Sequence, residues 1–423
     1  MARYQPSRRP RTAGGPRAGA GTARASFSRM VLEGMSSEQR GSPAVVGEDL
    51  AHLDYAAEIA LKNAALAAFW RQARLPARPE PVVASPRPRG YRTTSKRRVA
   101  LLGGSAHLFL GQRKARAGMP EFVDSPLEPV EHAELYRFLQ TRLSEPAFRV
   151  VGKHLSWLVV RGSYTERAVV FNVDTLFGPL VRKLKILGRQ LAAADAAPIA
   201  AYVYVDESGS DYYLEARRST RALDFKKLFG PDSLRVTYGD LRLGFHPTSF
   251  CQVNESIVPD LLRIAGQMLE PDAGERLIDL YCGHGLFSLA FAGRVRDVVG
   301  LDAAGPSIDA ARENARRLRC GATRFIAGRI TAEAIERLPA PTRDEIVVLD
   351  PPRDGTEAGV IGAISARRPR RVVHVFCSVD EIPAALREWN DGGYRPARVA
   401  PLDMFPGTAH LEVLVQLEPS PGG

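Results

Sequence analysis

Residues 276–285 read Arg-Leu-Ile-Asp-Leu-Tyr-Cys-Gly-His-Gly, a short apolar run that ends in a turn with two glycines. The run has the length and composition of a buried strand, and a helical segment follows the turn. Gly283 and Gly285 permit a tight turn and let a ligand come close to the backbone. The stretch therefore predicts the first strand–turn–helix unit of a nucleotide-type binding fold.

The chain around this unit alternates between helix and strand from about residue 257 onward. Repeated strand–helix units are typical of a mostly parallel sheet with helices on both faces. We therefore predict an α/β fold, with a doubly wound Rossmann-like domain over 246–423. Its helices are expected at 256–270, 307–320, 331–338 and 379–389, and its further strands at 297–303, 323–328, 344–352, 370–378, 397–405 and 410–418.

The preceding part of the chain has a different periodicity. Between Phe148 and Phe245, short β-rich runs, of which 211–217 is one, are separated by Gly, Asp, Asn and Ser. This pattern predicts a mainly antiparallel β (α+β) module. Ahead of it, the sequence predicts a helix within 50–74 and an extended, proline-rich linker at 75–90. A basic patch follows the linker.

The segment 1–42 is rich in Arg, Gly, Ala, Ser and Pro and poor in aromatic and branched residues. Such a composition buries too little apolar surface to offset the entropy of ordering, which predicts a disordered basic tail. The expected organisation is this tail, an N-terminal helix and β-rich module over 43–245, and the α/β domain over 246–423. A length of 423 residues fits two or three domains.

The composition narrows the class of protein. The net charge is +11, which favours an anionic partner such as nucleic acid. The four cysteines lie at positions 251, 282, 320 and 377, and none forms a Cys-x-x-Cys pair. This usage argues against a disulfide scaffold, a zinc ribbon or another metal site, and it is typical of a reducing cytoplasm. No apolar run is long enough to predict a membrane span.

The glycine turn carries features of a cofactor site. Asp302 ends the next strand, 19 residues after Gly283, where a carboxylate can accept hydrogen bonds from ribose hydroxyls. Ser288 replaces the third glycine of a dinucleotide fingerprint. An aspartate ahead of the turn, Asp279, suits the cationic S-adenosylmethionine better than a pyrophosphate, which prefers bare N–H groups. The pattern favours S-adenosylmethionine, with a ligand-free turn and NAD binding as alternatives.

Two further side chains follow predicted strands. Asp350 and Cys377 stand at carboxyl ends, so they are expected to share one crevice, and Glu412 begins the last strand. A buried structural cysteine is the alternative for Cys377. Beside a methyl donor, a cysteine and a glutamate suit methyl transfer to C5 of uracil. Thiolate addition to C6 makes C5 nucleophilic, and a carboxylate then removes the C5 proton.

Five stretches in order resemble one family, the RNA uracil-C5 methyltransferases, which make 5-methyluridine in tRNA and large-subunit rRNA. The resemblance covers most of the chain from about residue 45. It implies that Cys377 is the nucleophile, that Glu412 is the base, and that Phe250 stacks in the site or is a core aromatic. The stretches are 250–254, 279–285, 350–355, Cys377, and 403–406 followed by 410–412. The implied S-adenosylmethionine contacts are Gln252, Tyr281, Asp302 and Asp350, with Gly283 and Gly285 in the turn.

The chain departs from that family at several positions. Ser378 and Val379 follow the cysteine where the family usually carries Asn-Pro. Leu286 and Arg329 replace polar neighbours of the cofactor. Where many members place iron–sulfur cysteines, residues 45–55 contain none, so we predict no cluster.

These observations predict a cytoplasmic, S-adenosylmethionine-dependent RNA methyltransferase that forms 5-methyluridine in rRNA or tRNA through covalent addition of Cys377. The target uracil would have to leave its stack to reach the thiol. The alternative is a non-catalytic or altered-target RNA-binding methyltransferase paralogue. An amino-methylating enzyme is disfavoured because Arg353, rather than an aromatic residue, follows the two prolines. A nicotinamide-dependent dehydrogenase is the remaining alternative.

Overall fold

The computed structural model describes residues 26–41, 45–110, 124–206, 224–341 and 344–421. Within these ranges no helix is both long enough and apolar enough to cross a membrane. The helices are α1 (Phe27–Glu33), α2 (Tyr55–Ala73), α3 (Val130–Ser144), α4 (Arg149–His154), α5 (Gly178–Ala192), α6 (Val258–Leu269), α7 (Leu286–Phe291), α8 (Pro306–Arg317), α9 (Ala332–Glu336), α10 (Val360–Ala366) and α11 (Ile382–Asp391).

The strands form two large sheets and one hairpin. They are β1 (Thr94–Leu102), β2 (Ser105–Leu110), β3 (Leu155–Gly162), β4 (Arg167–Val173), β5 (Ala200–Val205), β6 (Asp224–Phe229), β7 (Leu234–Tyr238), β8 (Leu241–Phe245), β9 (Arg276–Leu280), β10 (Asp297–Asp302), β11 (Thr323–Ala327), β12 (Glu345–Leu349), β13 (Arg371–Phe376), β14 (Tyr394–Leu402) and β15 (Glu412–Pro419).

The C-terminal sheet has seven strands in the order β11-β10-β9-β12-β13-β15-β14. The first five are parallel, and β15 pairs antiparallel with both of its neighbours. Adjacent residues of one strand enter different cores: Leu277 lies in one apolar cluster and Ile278 in the other. The strands are apolar on both faces because both faces are covered. The doubly wound α/β prediction is confirmed.

The N-terminal sheet has six strands in the order β2-β1-β3-β4-β5-β6, and only β4 and β5 are parallel. The prediction of a mainly antiparallel α+β module is therefore confirmed. One face packs on α3–α5, with Val160 and Val169 in that core, and the other face, with Val159 and Val170, shares a core with the C-terminal domain. The predicted strand at 211–217 lies outside the described residues.

The N-terminal helices belong to the core of the C-terminal sheet. Phe69 and Trp70 of α2 pack in the same apolar cluster as the strands β9–β13, so α2 does not belong with the β module of 43–245. Helix α1 lies inside the tail predicted to be disordered, and that prediction is wrong for Phe27–Glu33. Phe27 and Val31 are buried one helical turn apart, and Phe27 meets Phe69 edge to face at 6.4 Å. Residues 1–25 lie outside the described ranges.

The proline-rich linker runs along the outer edge of β14. The Val83 N–H donates to the carbonyl of Pro401, and the Asp403 N–H donates to the carbonyl of Val83, each at 2.9 Å. The prolines prevent helix formation and leave extended backbone whose remaining polar groups can pair with an edge strand. The linker is extended as predicted, and it ties the N-terminal helices to the chain just before the last strand.

Candidate active site

The carboxyl ends of four parallel strands bring the predicted site residues to one edge of the sheet. Leu280 pairs with Leu301 on one side and with Leu349 on the other. The residues that follow these positions are therefore neighbours across the edge. They are Tyr281 after β9, Asp302 at the end of β10, Asp350 after β12 and Cys377 after β13.

Glu412 reaches the same edge from the opposite chain direction. In the antiparallel pair β13–β15, Phe376 is opposite Val413, so the next position along the register sets Cys377 beside Glu412. The Glu412 side chain is buried, whereas Cys377 is half-buried. The two groups are close enough for Glu412 to raise the pKa of the Cys377 thiol. The structure thus brings the predicted nucleophile and the predicted base together.

The Cys377 thiol holds its proton strongly in this environment. Burial is the main reason that its pKa rises to about 12, and the negative charges of Glu412, Asp350 and Glu381 add to the effect. Arg353 acts in the opposite direction and lowers the pKa. The thiolate, which is the nucleophilic form, therefore needs positive charge nearby to form at neutral pH.

Carboxyl groups repel one another along the same edge. Burial, followed by the negative charges of Asp279 and Asp302, raises the pKa of Asp350 to about 7. Burial followed by the charge of Asp350 raises the pKa of Glu412 well above its usual range. The pKa of Asp279 rises to about 7, mainly through burial, although Ser288 donates to one of its oxygens from both its N–H (2.8 Å) and its hydroxyl (2.6 Å). A cation would relieve this repulsion.

The glycine turn closes over Asp302. Gly283 donates its N–H to one carboxylate oxygen and Ala303 donates to the other, each at 2.6 Å. Tyr281 has a φ of 63°, a left-handed conformation that a tyrosine rarely adopts. Gly285 has a φ of 92°, a backbone conformation that other residues rarely adopt, so the turn favours glycine at this position.

Phe250 and Gln252 lie in the segment between β8 and α6. Phe250 is 58% exposed, which rules out the alternative that it is a core aromatic, and its backbone contacts the buried His284 of the glycine turn. Gln252 is buried, and two residues later the amide of Asn254 donates to the carbonyl of Met404 at 3.1 Å. The segment therefore spans from the glycine turn to the chain before Glu412.

The acidic edge of the sheet suits a small cationic nucleoside ligand. Among the described residues, the buried Asp279 Oδ1 has no hydrogen-bond partner, so it is available to a ligand. The surrounding carboxyl groups suit the ammonium and sulfonium charges of S-adenosylmethionine and oppose the pyrophosphate of NAD. Fold and site together define a protein of the S-adenosylmethionine-dependent methyltransferase class.

Comparison with known proteins leads to the same class. The sequence profile of the tRNA (Uracil-5-)-methyltransferase family matches residues 204–420. The crystal structure of the Pyrococcus abyssi tRNA (uracil-54, C5)-methyltransferase in complex with S-adenosyl-L-homocysteine superposes with a TM-score of 0.64 and 24% identity, covering 89% of this chain and 87% of that one. The structural similarity to the Pyrococcus abyssi enzyme supports the assignment of the fold.

Curated relatives extend the match beyond the profile. An uncharacterized RNA methyltransferase from Gloeobacter violaceus is 30% identical over 352 residues, which are 81% of this chain and 73% of that protein. A 23S rRNA (uracil(1939)-C(5))-methyltransferase from Alkalilimnicola ehrlichii is 34% identical over 227 residues, 52% of this chain and 50% of that protein. The chain belongs to the tRNA (uracil-5-)-methyltransferase family, whose methyl donor is S-adenosylmethionine.

The sequence prediction missed Arg353 as a member of the site. Arg353 lowers the pKa of both Cys377 and Glu412, which makes it a cation shared by the two groups. Its place directly after a strand end and two prolines was a signal that could have identified it. Of the two substituted positions, Leu286 is buried at the start of α7, whereas Arg329 is exposed and donates to Glu357 at 2.8 Å.

Alkylation of the cofactor-free enzyme should show that Cys377 is a weakly acidic thiol. Because its pKa is raised to about 12, the thiolate fraction and the rate should rise about tenfold per pH unit from pH 7 to 10, without a plateau. Iodoacetamide labelling with peptide mass spectrometry measures this rate. Cys320, whose pKa is raised by burial alone, is the internal reference and should reach its plateau first. A Cys377 plateau below pH 9 would contradict the described electrostatics.

Removal of the Arg353 charge should slow the alkylation of the Cys377 thiol further. In Arg353→Met, the alkylation rate of Cys377 at pH 8 should fall several-fold, because the remaining neighbouring charges are negative. In the wild-type protein, the acceleration of Cys377 alkylation by Arg353 should shrink at high salt, since Arg353 is exposed. Arg387→Met removes an exposed arginine from α11 and is the matched control. Equal rates in the two variants would remove Arg353 from the site.

Proposed function

We propose that the protein methylates C5 of a uridine in rRNA or tRNA, with Cys377 as nucleophile and Glu412 as base. The observation that carries this proposal is the register of β13 and β15, which sets a thiol beside a buried carboxyl group at the acidic end of the sheet. Neither a simple nucleotide-binding domain nor a dehydrogenase requires such a pair. Methyl transfer to an unactivated pyrimidine carbon requires both members.

The chemistry balances with these two groups. The Cys377 thiolate forms a bond to C6, and the electron pair of the C5–C6 double bond moves into the ring as an enolate. S-adenosylmethionine supplies the methyl group and leaves as a neutral thioether. The enolate pair forms the bond from C5 to that methyl group. Glu412 then takes the C5 proton, the double bond re-forms, and the C6–sulfur bond breaks to return the thiolate.

Glu412 and Phe250 are suited to complementary tasks. A carboxylate whose pKa is well above its usual range is a stronger base, as removal of a carbon-bound proton requires. Phe250 is exposed next to the glycine turn and offers a face on which an unstacked base can lie. We assign Gln252, Tyr281, Asp302 and Asp350 to the methyl donor, with Gly283 and Gly285 shaping the turn around it.

RNA is the substrate that the relatives' names and the charge of the chain both support. The net charge is +11, and the relatives above are named for rRNA and tRNA. We place the RNA against the β-rich module, where Arg87 lies over the ring of Tyr164 at 4.5 Å, near the segment that carries Phe250. Single-stranded loops are the expected targets, because a base in a loop leaves its stack more easily, and the expected compartment is the cytoplasm.

A direct assay tests the proposed reaction. Unmodified tRNA and rRNA transcripts are incubated separately with the enzyme and methyl-labelled S-adenosylmethionine, and the RNA is digested to nucleosides for chromatography. We expect label in 5-methyluridine for one of the two RNA classes. Label in any other nucleoside would refute the uracil-C5 assignment. Binding of the methyl donor without transfer to either RNA would select the non-catalytic or altered-target paralogue instead.

A further inference from the structure

The segment 403–411 leads directly into Glu412, the first residue of β15. It connects β14 to β15, and Leu402 is paired with Glu412 across the hairpin. The connection therefore adjoins the carboxyl group that faces Cys377 and lies outside the parallel part of the sheet. The contacts that hold the segment 403–411 therefore bear on the position of the Glu412 carboxyl group.

Lys62 of α2 lies at the centre of the contacts to this segment. Its ammonium group is fully buried and donates to Glu58 Oε1 and to Asp403 Oδ1, each at 2.7 Å. A third contact, at 3.4 Å, goes to the carbonyl of Phe405. A buried ammonium is tolerated only when its donors are satisfied, and here Lys62 and its partner Asp403 lie 341 positions apart in the chain.

The partners of Lys62 hold further atoms of the connection. Glu58 Oε1 also accepts the N–H of Gly407 at 2.6 Å, and its other oxygen accepts from Arg89 at 3.1 Å. Tyr55 donates its hydroxyl to the second oxygen of Asp403 at 3.1 Å and accepts the N–H of Ser85 at 2.6 Å. About two turns of α2, from Tyr55 to Lys62, therefore contact both the beginning and the middle of the connection.

Helix α1, which packs against α2, also contacts the chain that follows Cys377, the proposed nucleophile. The N–H of Phe27, the first residue of α1, donates to Asp380 Oδ1 at 2.7 Å, three residues beyond Cys377. Val379 is buried in the cluster that contains Phe27 and α2. The two-helix unit α1–α2 thus contacts both segments on which the reacting side chains stand.

We propose that Lys62 is a positioning residue that, through the 403–411 connection, sets the Glu412 carboxyl group for proton removal from C5. The proposal rests on the proposed function, and it assigns a catalytic purpose to an N-terminal helix that is remote in sequence. Lys62 itself touches no reacting atom. It acts on the second half of the reaction, because C6 addition and methyl transfer use Cys377, whereas release of the product needs Glu412.

Because Lys62 acts only on the step that uses Glu412, its loss should leave a trapped adduct. A variant that is merely destabilised should not accumulate that adduct. If Glu412 is displaced, the thiolate can still add and C5 can still be methylated, but the C5 proton stays and the C6–sulfur bond cannot break. Ordinary uridine RNA should then accumulate as a denaturation-resistant adduct on Cys377. A variant that is merely less stable loses adduct and product in proportion.

The experiment compares three variants with wild type. Lys62→Met removes the buried cation, Tyr55→Phe removes one hydroxyl from the same group, and Arg71→Met changes an exposed residue of the same helix as the control. We expect turnover to fall by about 100-fold in Lys62→Met and about tenfold in Tyr55→Phe, in line with the cost of a misplacement of about 1 Å. Both should accumulate methylated adduct, whereas Arg71→Met should resemble wild type.

Hydrogen exchange of the cofactor-free proteins supplies a second measurement. Amides of 403–411 should exchange faster in the Lys62 and Tyr55 variants than in the control, with the parallel strands unchanged. Folded Tyr55→Phe that turns over slowly without adduct would overturn the proposal, even if Lys62→Met does not fold. If wild type forms no 5-methyluridine and no adduct with 5-fluorouridine RNA, the proposed function fails, while the exchange measurement still tests the contact.

Discussion

Replacing Cys377 by alanine is expected to abolish methyl transfer, with a loss of at least about 10³-fold in turnover, because the proposed mechanism uses its sulfur to form the bond to C6. The same change should abolish the denaturation-resistant adduct with 5-fluorouridine RNA, since a fluorine at C5 blocks the final proton removal and normally traps the thiol. Binding of S-adenosylmethionine should survive, because the cofactor carboxyl groups remain.

Cys320→Ala is the matched control for that result. Cys320 is a half-exposed free thiol beyond α8, and its loss should leave both turnover and adduct unchanged. Gel analysis under denaturing conditions measures the adduct, and nucleoside chromatography measures the product. An adduct that persists in Cys377→Ala would transfer the nucleophile to another residue.

Replacing Glu412 by glutamine is expected to stop the reaction after methyl transfer. Turnover should fall by about 10²–10⁴-fold, the range for loss of a general base, while one methyl group per enzyme is still transferred. The methylated RNA should remain attached to Cys377 even with ordinary uridine. This trapped state is the opposite of the Cys377→Ala result, in which neither methyl transfer nor attachment occurs.

Glu418→Gln provides the control on the same strand. Glu418 lies near the far end of β15 and pairs with Arg371, away from the carboxyl edge. It should show normal turnover and no adduct with ordinary RNA. Normal product release by Glu412→Gln would remove Glu412 from the role of base and would leave Asp350 as the neighbouring carboxyl group to test.

The C-terminal domain could be predicted from sequence because its physical signals are local. Strands such as β9 and β12 are apolar on both faces, and the amphipathic helices between them repeat at a regular interval. Parallel strands end at a common edge, so motifs at strand ends meet there whatever the details of packing. This geometry explains why Asp302, Asp350 and Cys377 were expected to lie together.

The N-terminal part was harder because its signals are not local. In β1, charged residues lie on both faces: Arg97 is buried against Glu128, while Lys96 and Arg98 lie over Trp157. The sequence of this strand therefore predicts a basic patch rather than a strand. The role of Lys62 depends on Asp403, far away in the chain, and no spacing rule connects them. Through-space charge pairs of this kind become visible only when the fold is known.

The most direct test of the account is tandem mass spectrometry of the adduct that Glu412→Gln forms with ordinary uridine RNA. After nuclease and protease digestion, we predict one cross-linked peptide, in which the sulfur of Cys377 is bound to C6 of a uridine that already carries a methyl group at C5. A cross-link through any other residue, or a Cys377 cross-link to an unmethylated uridine as the stable end state, would contradict the assignment of thiol and carboxylate to successive steps.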